Sequence, residues 1–339
     1  MTGLFVGGVE HIAVLQPGAL ADLLLALPGI EALKHAYPAA TITVLGRDWH
    51  VPFLRGRPGP VDDVIALPPI SGVSSAACGF SAPADLVGEL RGRRFDIAVR
   101  MSGGGGGCDS FVRGLGAALT AGPCAPGFVR LDRWIPYVDH QHETLRSLEV
   151  AGLLGAAVVE IEPRIAVVKN DWAELNRRAG RLPKGLVAVN PGAADHRRRW
   201  PLERFAEVAD RLGRPVVVTG TGPERETVER MTSAMKRPAM VVVDELSLGG
   251  MAALYAACDL LISGEGDPRH LAAATGTPTV GIYWCADMLR RGPLTRGHHR
   301  PLISWTARSP EPDGEAGPGS WVDDVTVDDV LEQAEDLLR

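Results

Sequence analysis

The densest chemistry in this sequence lies in residues 259–284, DLLISGEGDPRHLAAATGTPTVGIYW. An apolar strand over residues 260–263 runs into the turn Gly264-Glu265-Gly266-Asp267. A short helix opened by Pro268 and closed near Gly276 follows, then a second strand over residues 279–283. In an open parallel sheet a βαβ unit of this kind binds ligands beyond the carboxyl ends of its strands, and the helix start offers N–H groups to an anion. Residues 264–270, ending at His270, are therefore a candidate site for a phosphate-bearing ligand; the plainer alternative is a strand-to-helix turn that binds nothing. Glu265 and Asp267 also place two carboxylates on one turn, an arrangement able to hold Mg²⁺ between a protein and a diphosphate.

A second glycine turn, Gly220-Thr221-Gly222-Pro223-Glu224-Arg225, follows a strand over residues 215–219, and a further strand over residues 240–243 ends in Asp244. The spacing imitates a dinucleotide fingerprint with its acidic residue about 20 positions on. Arg225 stands where the third glycine belongs, and the turn closes the second strand of its domain, so a nicotinamide-dependent oxidoreductase is disfavoured. Asp22 heads a helix, where an aspartate is an ordinary cap. Residues 102–108 enclose five consecutive glycines, which read either as a mobile surface loop or as a close backbone approach to a ligand.

The elements that must position these groups form two α/β halves. In the first, strands are expected over residues 11–16, 41–45, 61–67 and 95–99, with helices over 22–37, 84–91, 111–119 and 142–154. A composition shift over residues 162–185, with Pro163 and Pro183 around a polar helix, marks a boundary, and the pattern then restarts with a strand over 186–190 and a helix over 201–212. Gln16-Pro17-Gly18-Ala19 in the first half corresponds to Asn190-Pro191-Gly192-Ala193 in the second, each at the end of the first strand of its half. The expected organisation is a Rossmann-like domain over 1–165, a linker over 166–184, a second Rossmann-like domain over 185–324 and a terminal helix over 325–339. Residues 301–320, rich in Pro, Gly, Ser and Glu, read as a long loop. The helix after them presents Val327, Val330, Leu331 and Ala334 on one face.

Composition narrows the classes. The chain has 339 residues, 45% of them apolar and 22% charged, with a net charge of −6 and no long like-charge block, so neither a duplex-binding surface nor a polybasic membrane patch is indicated. Five cysteines without CxxC spacing suggest free thiols in a reducing cytoplasm. The apolar N-terminus lacks a preceding Lys or Arg and is interrupted by Glu10, His11 and Asp22, which fits neither a signal peptide nor a membrane span. A cytoplasmic location is expected, with peripheral membrane contact left open.

Three blocks in order carry a family resemblance: Ala19-Leu20-Ala21-Asp22 with Tyr37-Pro38; Asn190-Pro191-Gly192 with Arg199-Trp200-Pro201 and Phe205; and residues 263–270 with Leu271-Ala272-Ala273 and Gly276-Thr277-Pro278. Together they resemble glycosyltransferase family 9, the heptosyltransferases. The resemblance covers nearly the whole chain and implies the GT-B fold of two facing Rossmann-like domains, with the terminal helix crossing back to the first. It further implies sugar transfer from a nucleoside diphosphate sugar, ADP-heptose in the first instance, to a hydroxyl of a saccharide or small-molecule acceptor. Transfer would proceed with inversion, without metal and without a further cofactor. The acceptor side would be held by residues 1–165 and the donor by 185–300.

By the same resemblance Asp22 is the catalytic base and Arg198 stands where the family has a phosphate-contacting lysine. Glu224 is the acid at the nucleotide ribose, Leu246 packs on the base, His270 lies at the diphosphate, and Glu265, Gly266 and Asp267 form the donor turn. Where the family has Asp-Thr/Ser-Gly, this chain has Glu265-Gly266-Asp267, and Ala193, Ala194 and Ala21 also depart from it. The carboxylate for sugar hydroxyls is one methylene longer and a phosphate-binding hydroxyl is missing, which leaves open a different nucleotide sugar and a natural-product acceptor. A non-catalytic nucleotide-sugar-binding protein is the rival from another class; Asp22 and Arg198 speak against it.

Overall fold

Runs of aliphatic residues without alternation specify strands buried on both faces, and the central strands of both halves, over residues 11–15, 97–100, 187–190 and 260–264, are of this kind. In the computed structural model, which describes residues 4–68, 84–103, 107–193, 195–305 and 320–339, the chain divides into two compact units, Met1–Ala166 and Val167–Arg339. The first comprises β1 (His11–Leu15), α1 (Leu20–Ala36), β2 (Thr41–Gly46), α2 (His50–Leu54), β3 (Asp63–Ala66), α3 (Ala84–Gly92), β4 (Ile97–Arg100), α4 (Gly107–Gly114), β5 (Leu119–Cys124), β6 (Arg133–Pro136) and α5 (Glu143–Gly152). The second comprises α6 (Lys169–Ala179), β7 (Val187–Asn190), α7 (Leu202–Leu212), β8 (Val216–Gly220), α8 (Arg225–Ala234), β9 (Met240–Val243), α9 (Leu248–Ala256), β10 (Leu260–Gly264), α10 (Asp267–Ala274), β11 (Thr279–Trp284), α11 (Cys285–Arg291), β12 (His299–Ser304) and α12 (Val327–Leu337).

Each unit holds a six-stranded sheet, in the orders β3-β2-β1-β4-β5-β6 and β12-β11-β10-β7-β8-β9. All pairings are parallel, and read outward from the first strand the two orders are the same doubly wound topology. The chain reverses direction across the sheet between β1 and β4 and again between β7 and β10. Those are the two crevices where such sheets bind ligands.

The ends of both first strands are anchored in register: Leu15 faces Arg100 and Asn190 faces Ser263. Helix α1 is buried along most of its length and packs on α5, with Gly29 so close that a Cβ there would lie 2.7 Å from the Ser147 carbonyl. The second core gathers Val187, Val189, Trp200, Phe205, Leu260 and Ile282, with Phe205 edge-on to Trp200 at 4.9 Å.

Several sequence expectations are corrected. Residue 119 begins β5 and is not the end of a helix; α4 stops at Gly114. β5 escapes a propensity reading because Gly122 and Pro123 sit inside it, and Gly122 relieves a close approach there, since a Cβ would lie 3.0 Å from the Arg100 carbonyl. Residues 301–304 belong to β12, not to a loop; Pro301 is tolerated because β12 is an edge strand. The rest of that loop expectation, residues 306–319, lies outside the described residues, as do the central glycines 104–106, Ala194 and Cys78.

The stretch read as a linker, 166–184, carries α6, which packs on α9. The expectation that the terminal helix crosses back to the first domain is also corrected. Val330, Leu331 and Ala334 lie in the core of the second unit, α12 packs on α7, and Trp200 Nε1 donates to the Val325 carbonyl at 2.9 Å, fixing the approach to the helix. The amphipathic stripe itself is the one the sequence shows. It says what is buried but not against which unit.

Candidate donor and acceptor sites

In the first unit the chain leaves β1 through Gln16, Pro17 and Gly18 and enters α1 at Leu20. The helix begins two residues before Asp22, so this aspartate occupies the third helical position and reaches back, accepting the Ala19 backbone N–H at Oδ2 over 2.9 Å. The ordinary capping role is thus realised, and it fixes the carboxylate at the mouth of the β1–α1 turn. Gly18 makes room for it: a Cβ there would lie 2.4 Å from Asp22 Oδ2.

The second crevice strand of the same unit ends in Arg100, which is buried with Asp109. Its Nε donates to Asp109 Oδ1 at 2.9 Å, and its Nη atoms donate to the carbonyls of Ser102, Gly103 and Pro123. Burial pushes the Asp109 carboxyl up, and the Arg100 charge opposes the rise. Sequence reading missed this pair, which ties the start of the glycine run to α4.

The second unit repeats the device. β7 ends in Asn190, whose Nδ2 donates to the Thr219 carbonyl at 2.9 Å, locking the first turn to the next strand. Gly192 follows, and a Cβ on it would lie 1.9 Å from Glu224 Oε1. Glu224 Oε2 in turn accepts the Thr221 N–H and hydroxyl, both at 2.9 Å. The repeated Pro-Gly of the sequence therefore has a physical meaning: in each unit the glycine lies under a candidate carboxylate, Asp22 in one and Glu224 in the other. Leu246 is half-buried just before α9, whose cap residue Ser247 accepts the Gly250 N–H and is itself held by Glu174.

Beyond β10 the turn and α10 bring Glu265, Gly266, Asp267 and His270 together beside the β7 turn; a Cβ on Gly264 would be 3.5 Å from the Gly192 carbonyl. Glu265 Oε1 stands 3.8 Å from His270 Nε2. Burial works against ionisation of Glu265, but the contact with His270 and the charges of Arg269 and Arg291 prevail and hold the carboxyl down, at about 2. His270 is itself fully buried, and burial with the neighbouring Arg269 pushes its pKa down to about 3. The imidazole is therefore neutral and the glutamate charged, with Arg269 as the cation that supports it. Arg269 Nη2 lies 2.8 Å from the His270 ring nitrogens and donates to the Arg291 carbonyl at 2.8 Å, while its guanidinium covers the Tyr283 ring at 5.2 Å.

Of the three consecutive arginines, Arg198 is the one pointed at this cluster: its Nη1 donates to Asp287 Oδ1 at 2.8 Å. Arg197 is instead committed to Asp195 through Nε and Nη2 and stacks over Trp321 at 4.3 Å. Asp287, Tyr283 and the Trp284 and Trp321 rings line the candidate site beside Arg198 and Arg269, and sequence reading did not place them there. Among the described residues no group of His, Cys, Asp and Glu side chains converges in a metal-binding arrangement, and no helix is long and apolar enough to cross a membrane. The described cysteines, 108, 124, 258 and 285, are free thiols.

A sequence model of glycosyltransferase family 9 (heptosyltransferase) matches residues 128–313, more than half of the chain. The chain belongs to glycosyltransferase family 9. Similar family proteins include the lipopolysaccharide core heptosyltransferase OpsX of Haemophilus influenzae, 22% identical over 307 residues that cover 86% of this chain and 83% of that one. Among solved structures, a family 9 glycosyl transferase of Veillonella parvula superposes with a TM-score of 0.81 at 22% identity, over 97% of both chains. The ADP-heptose lipopolysaccharide heptosyltransferase II of E. coli gives 0.74 at 20%, over 97% of this chain and 98% of that one. The two parallel six-stranded sheets of this family 9 protein thus form a GT-B-like fold.

Proposed function

We propose that this protein is an inverting, metal-independent heptosyltransferase that transfers heptose from ADP-heptose to a hydroxyl of a saccharide acceptor, with the lipopolysaccharide core as the acceptor class named for its relatives. The observation that carries the reading is the second crevice. A charged carboxylate, Glu265, the Arg198 guanidinium held by Asp287 and the first turn of α10 sit together where a doubly wound sheet binds a nucleotide.

In this reading the first unit holds the acceptor and the second holds the donor. The acceptor oxygen attacks the anomeric carbon as the bond from that carbon to the diphosphate oxygen breaks. Asp22 takes the hydroxyl proton, and the electron pair leaves on the diphosphate. Arg198 and the α10 N–H groups hold that charge, supplying without metal the stabilisation the departure needs. Arginine suits the role, since its planar fork matches phosphate oxygens. Glu224 accepts the ribose hydroxyls, Leu246 packs on the adenine, Glu265 accepts sugar hydroxyls, and neutral His270 lies at the diphosphate. No further cofactor takes part, and the reaction is placed in the cytoplasm.

A second reading keeps the chemistry but changes the substrates to another nucleotide sugar and a natural-product acceptor. It rests on the Glu265-Gly266-Asp267 turn, whose longer acid and extra carboxylate reshape the sugar pocket. The test is transfer from ADP-heptose, in EDTA, to a heptose-deficient lipopolysaccharide core and to a panel of soluble glycosides, with the product's anomeric configuration read by NMR. Inverted product in EDTA supports the proposal, and the acceptor used decides between the readings. Retained configuration or a need for divalent metal contradicts it.

A further inference from the structure

The guanidinium assigned to the diphosphate is held by a carboxylate that the donor must contend with. Arg198 Nη1 donates to Asp287 Oδ1 at 2.8 Å, its Nε stands 3.8 Å from Asp195 Oδ2, and the rings of Trp284 and Trp321 flank it at 5.8 and 6.0 Å. The pair is only half satisfied. Among the described residues neither Arg198 Nε nor Asp287 Oδ2 has a hydrogen-bond partner, although both atoms are shielded from solvent. A desolvated donor and a desolvated acceptor on the two members of one ion pair are costly to leave unfilled. A phosphate oxygen fills the donor but brings a negative charge against Asp287. A protonated Asp287 removes that repulsion and turns its own empty acceptor into a donor available to the diphosphate.

The charges around Asp287 show why the proton goes there. Glu265 on the β10–α10 turn adds a like charge, Arg198 faces it from the segment after β7, Arg290 and Arg291 share its helix, and Arg269, His270 and Tyr283 line α10 and β11. Burial and then Glu265 raise its pKa to about 6, against the pull of Arg198, Arg291 and Arg290. Glu265 at about 2 and His270 at about 3 are far outside the range in which Asp287 titrates.

We infer that Asp287 is a positioning residue that holds Arg198 ready before the donor arrives and takes up a proton when the donor diphosphate engages Arg198, making donor binding proton-linked. The inference rests on the donor reading above. The sign follows from the charges: an incoming anion raises the Asp287 pKa further, so binding consumes protons and affinity falls as pH rises. If the bound donor raises that pKa by about one unit, affinity at pH 5.5 exceeds that at pH 8 by a factor approaching ten.

The test uses ADP-glucose, in which both phosphates are esterified and neither titrates near neutrality. Calorimetric titrations of the full chain at pH 6.5, in two buffers of different ionisation heat, count the protons taken up, and titrations at pH 5.5 and 8 give the affinity ratio. Wild type is expected to take up a fraction of a proton and to bind several-fold more weakly at pH 8. Asp287→Asn, which keeps the shape and the link to Arg198, is expected to lose both effects. Should that variant not fold, the wild-type titration repeated at pH 8.5 serves: an uptake carried by a carboxyl that titrates near 6 vanishes there. A purely structural role for Asp287 would leave the proton count untouched. Binding to wild type without proton uptake overturns the inference alone, as does undiminished uptake in Asp287→Asn. Failure of wild type to bind either ADP-glucose or ADP at any pH overturns the donor reading and the inference with it.

Discussion

Replacing Gly192 by alanine tests the donor site through a residue with no polar atom of its own to offer beyond the backbone. A Cβ at that position would sit 1.9 Å from Glu224 Oε1 and 2.5 Å from its carboxyl carbon, so one of the two must move. The turn is fixed by β7 and by Asn190 on Thr219, so the carboxylate gives way and loses the Thr221 N–H and hydroxyl that hold it at 2.9 Å. Glu224 is half-buried and water replaces part of what is lost, which limits the stability cost to about 1 kcal/mol, or about 2–4 °C in melting temperature.

On the proposed donor reading the binding cost of Gly192→Ala is larger, because the carboxylate assigned to the ribose hydroxyls is no longer placed. One charged hydrogen-bonding group lost to a nucleotide is worth about 1.5–3 kcal/mol, roughly 10- to 100-fold in affinity. The assay is calorimetric ADP binding to Gly192→Ala, Glu224→Ala and the double variant. The two changes act on one carboxylate, so the double variant should bind about as weakly as either single one. Additive losses, or unchanged binding in Gly192→Ala, would refute the reasoning.

Asp22→Ala is expected to lower turnover by about 10²–10⁴-fold while ADP binding is unchanged, since the base acts on the acceptor hydroxyl; pre-steady-state transfer with parallel calorimetry checks it, and a matching loss of ADP affinity would contradict the assignment. Arg100→Leu leaves Asp109 buried without its partner and should cost about 3–5 kcal/mol, read from the urea midpoint; a shift below 1 kcal/mol would mean that the pair is dispensable. Burial depresses the pKa of His50 and of His299 to about 4, and that of His270 to about 3. Each group has a folded pKa below its unfolded value near 6.5, so the stability it contributes is complete above that value and declines as pH falls toward the folded values. Urea unfolding should therefore show declining stability from pH 6.5 to 4, partly relieved in His299→Gln, and a flat profile would contradict the buried neutral histidines.

How far the sequence could be read depended on whether the determining contacts were local. The aliphatic runs of β1, β7 and β10 and the Pro-Gly turns after two of them declare both Rossmann-like halves, because a doubly buried strand needs nothing but apolar residues. The start of α1 was misplaced by two residues because Ala19 carries no capping oxygen and the cap is supplied by Asp22 reaching back. β5 and β12 hid behind Gly122, Pro123 and Pro301, residues whose tolerance depends on a neighbouring backbone or on an edge position.

Asp22, Glu224 and the 264–270 turn were legible as candidates through the family resemblance, and the contacts that hold the two carboxylates, to Ala19 and Thr221, lie three residues back. Asp287 was not: nothing in Cys285-Ala286-Asp287 marks an acid, and its meaning comes from Arg198, 89 positions away. The Arg100–Asp109 pair was hidden for a similar reason, since a buried arginine at a strand end reads as a surface residue until the sheet closes over it.

The proposed donor site of the second unit is tested most directly by calorimetric titration of ADP, with UDP, GDP and dTDP alongside, into wild type and Arg198→Ala in the presence of EDTA. Tight ADP binding that EDTA does not disturb and that weakens at least tenfold in Arg198→Ala is the predicted result. Preference for another nucleotide, binding that appears only with Mg²⁺, or equal affinity in the two proteins would contradict the account.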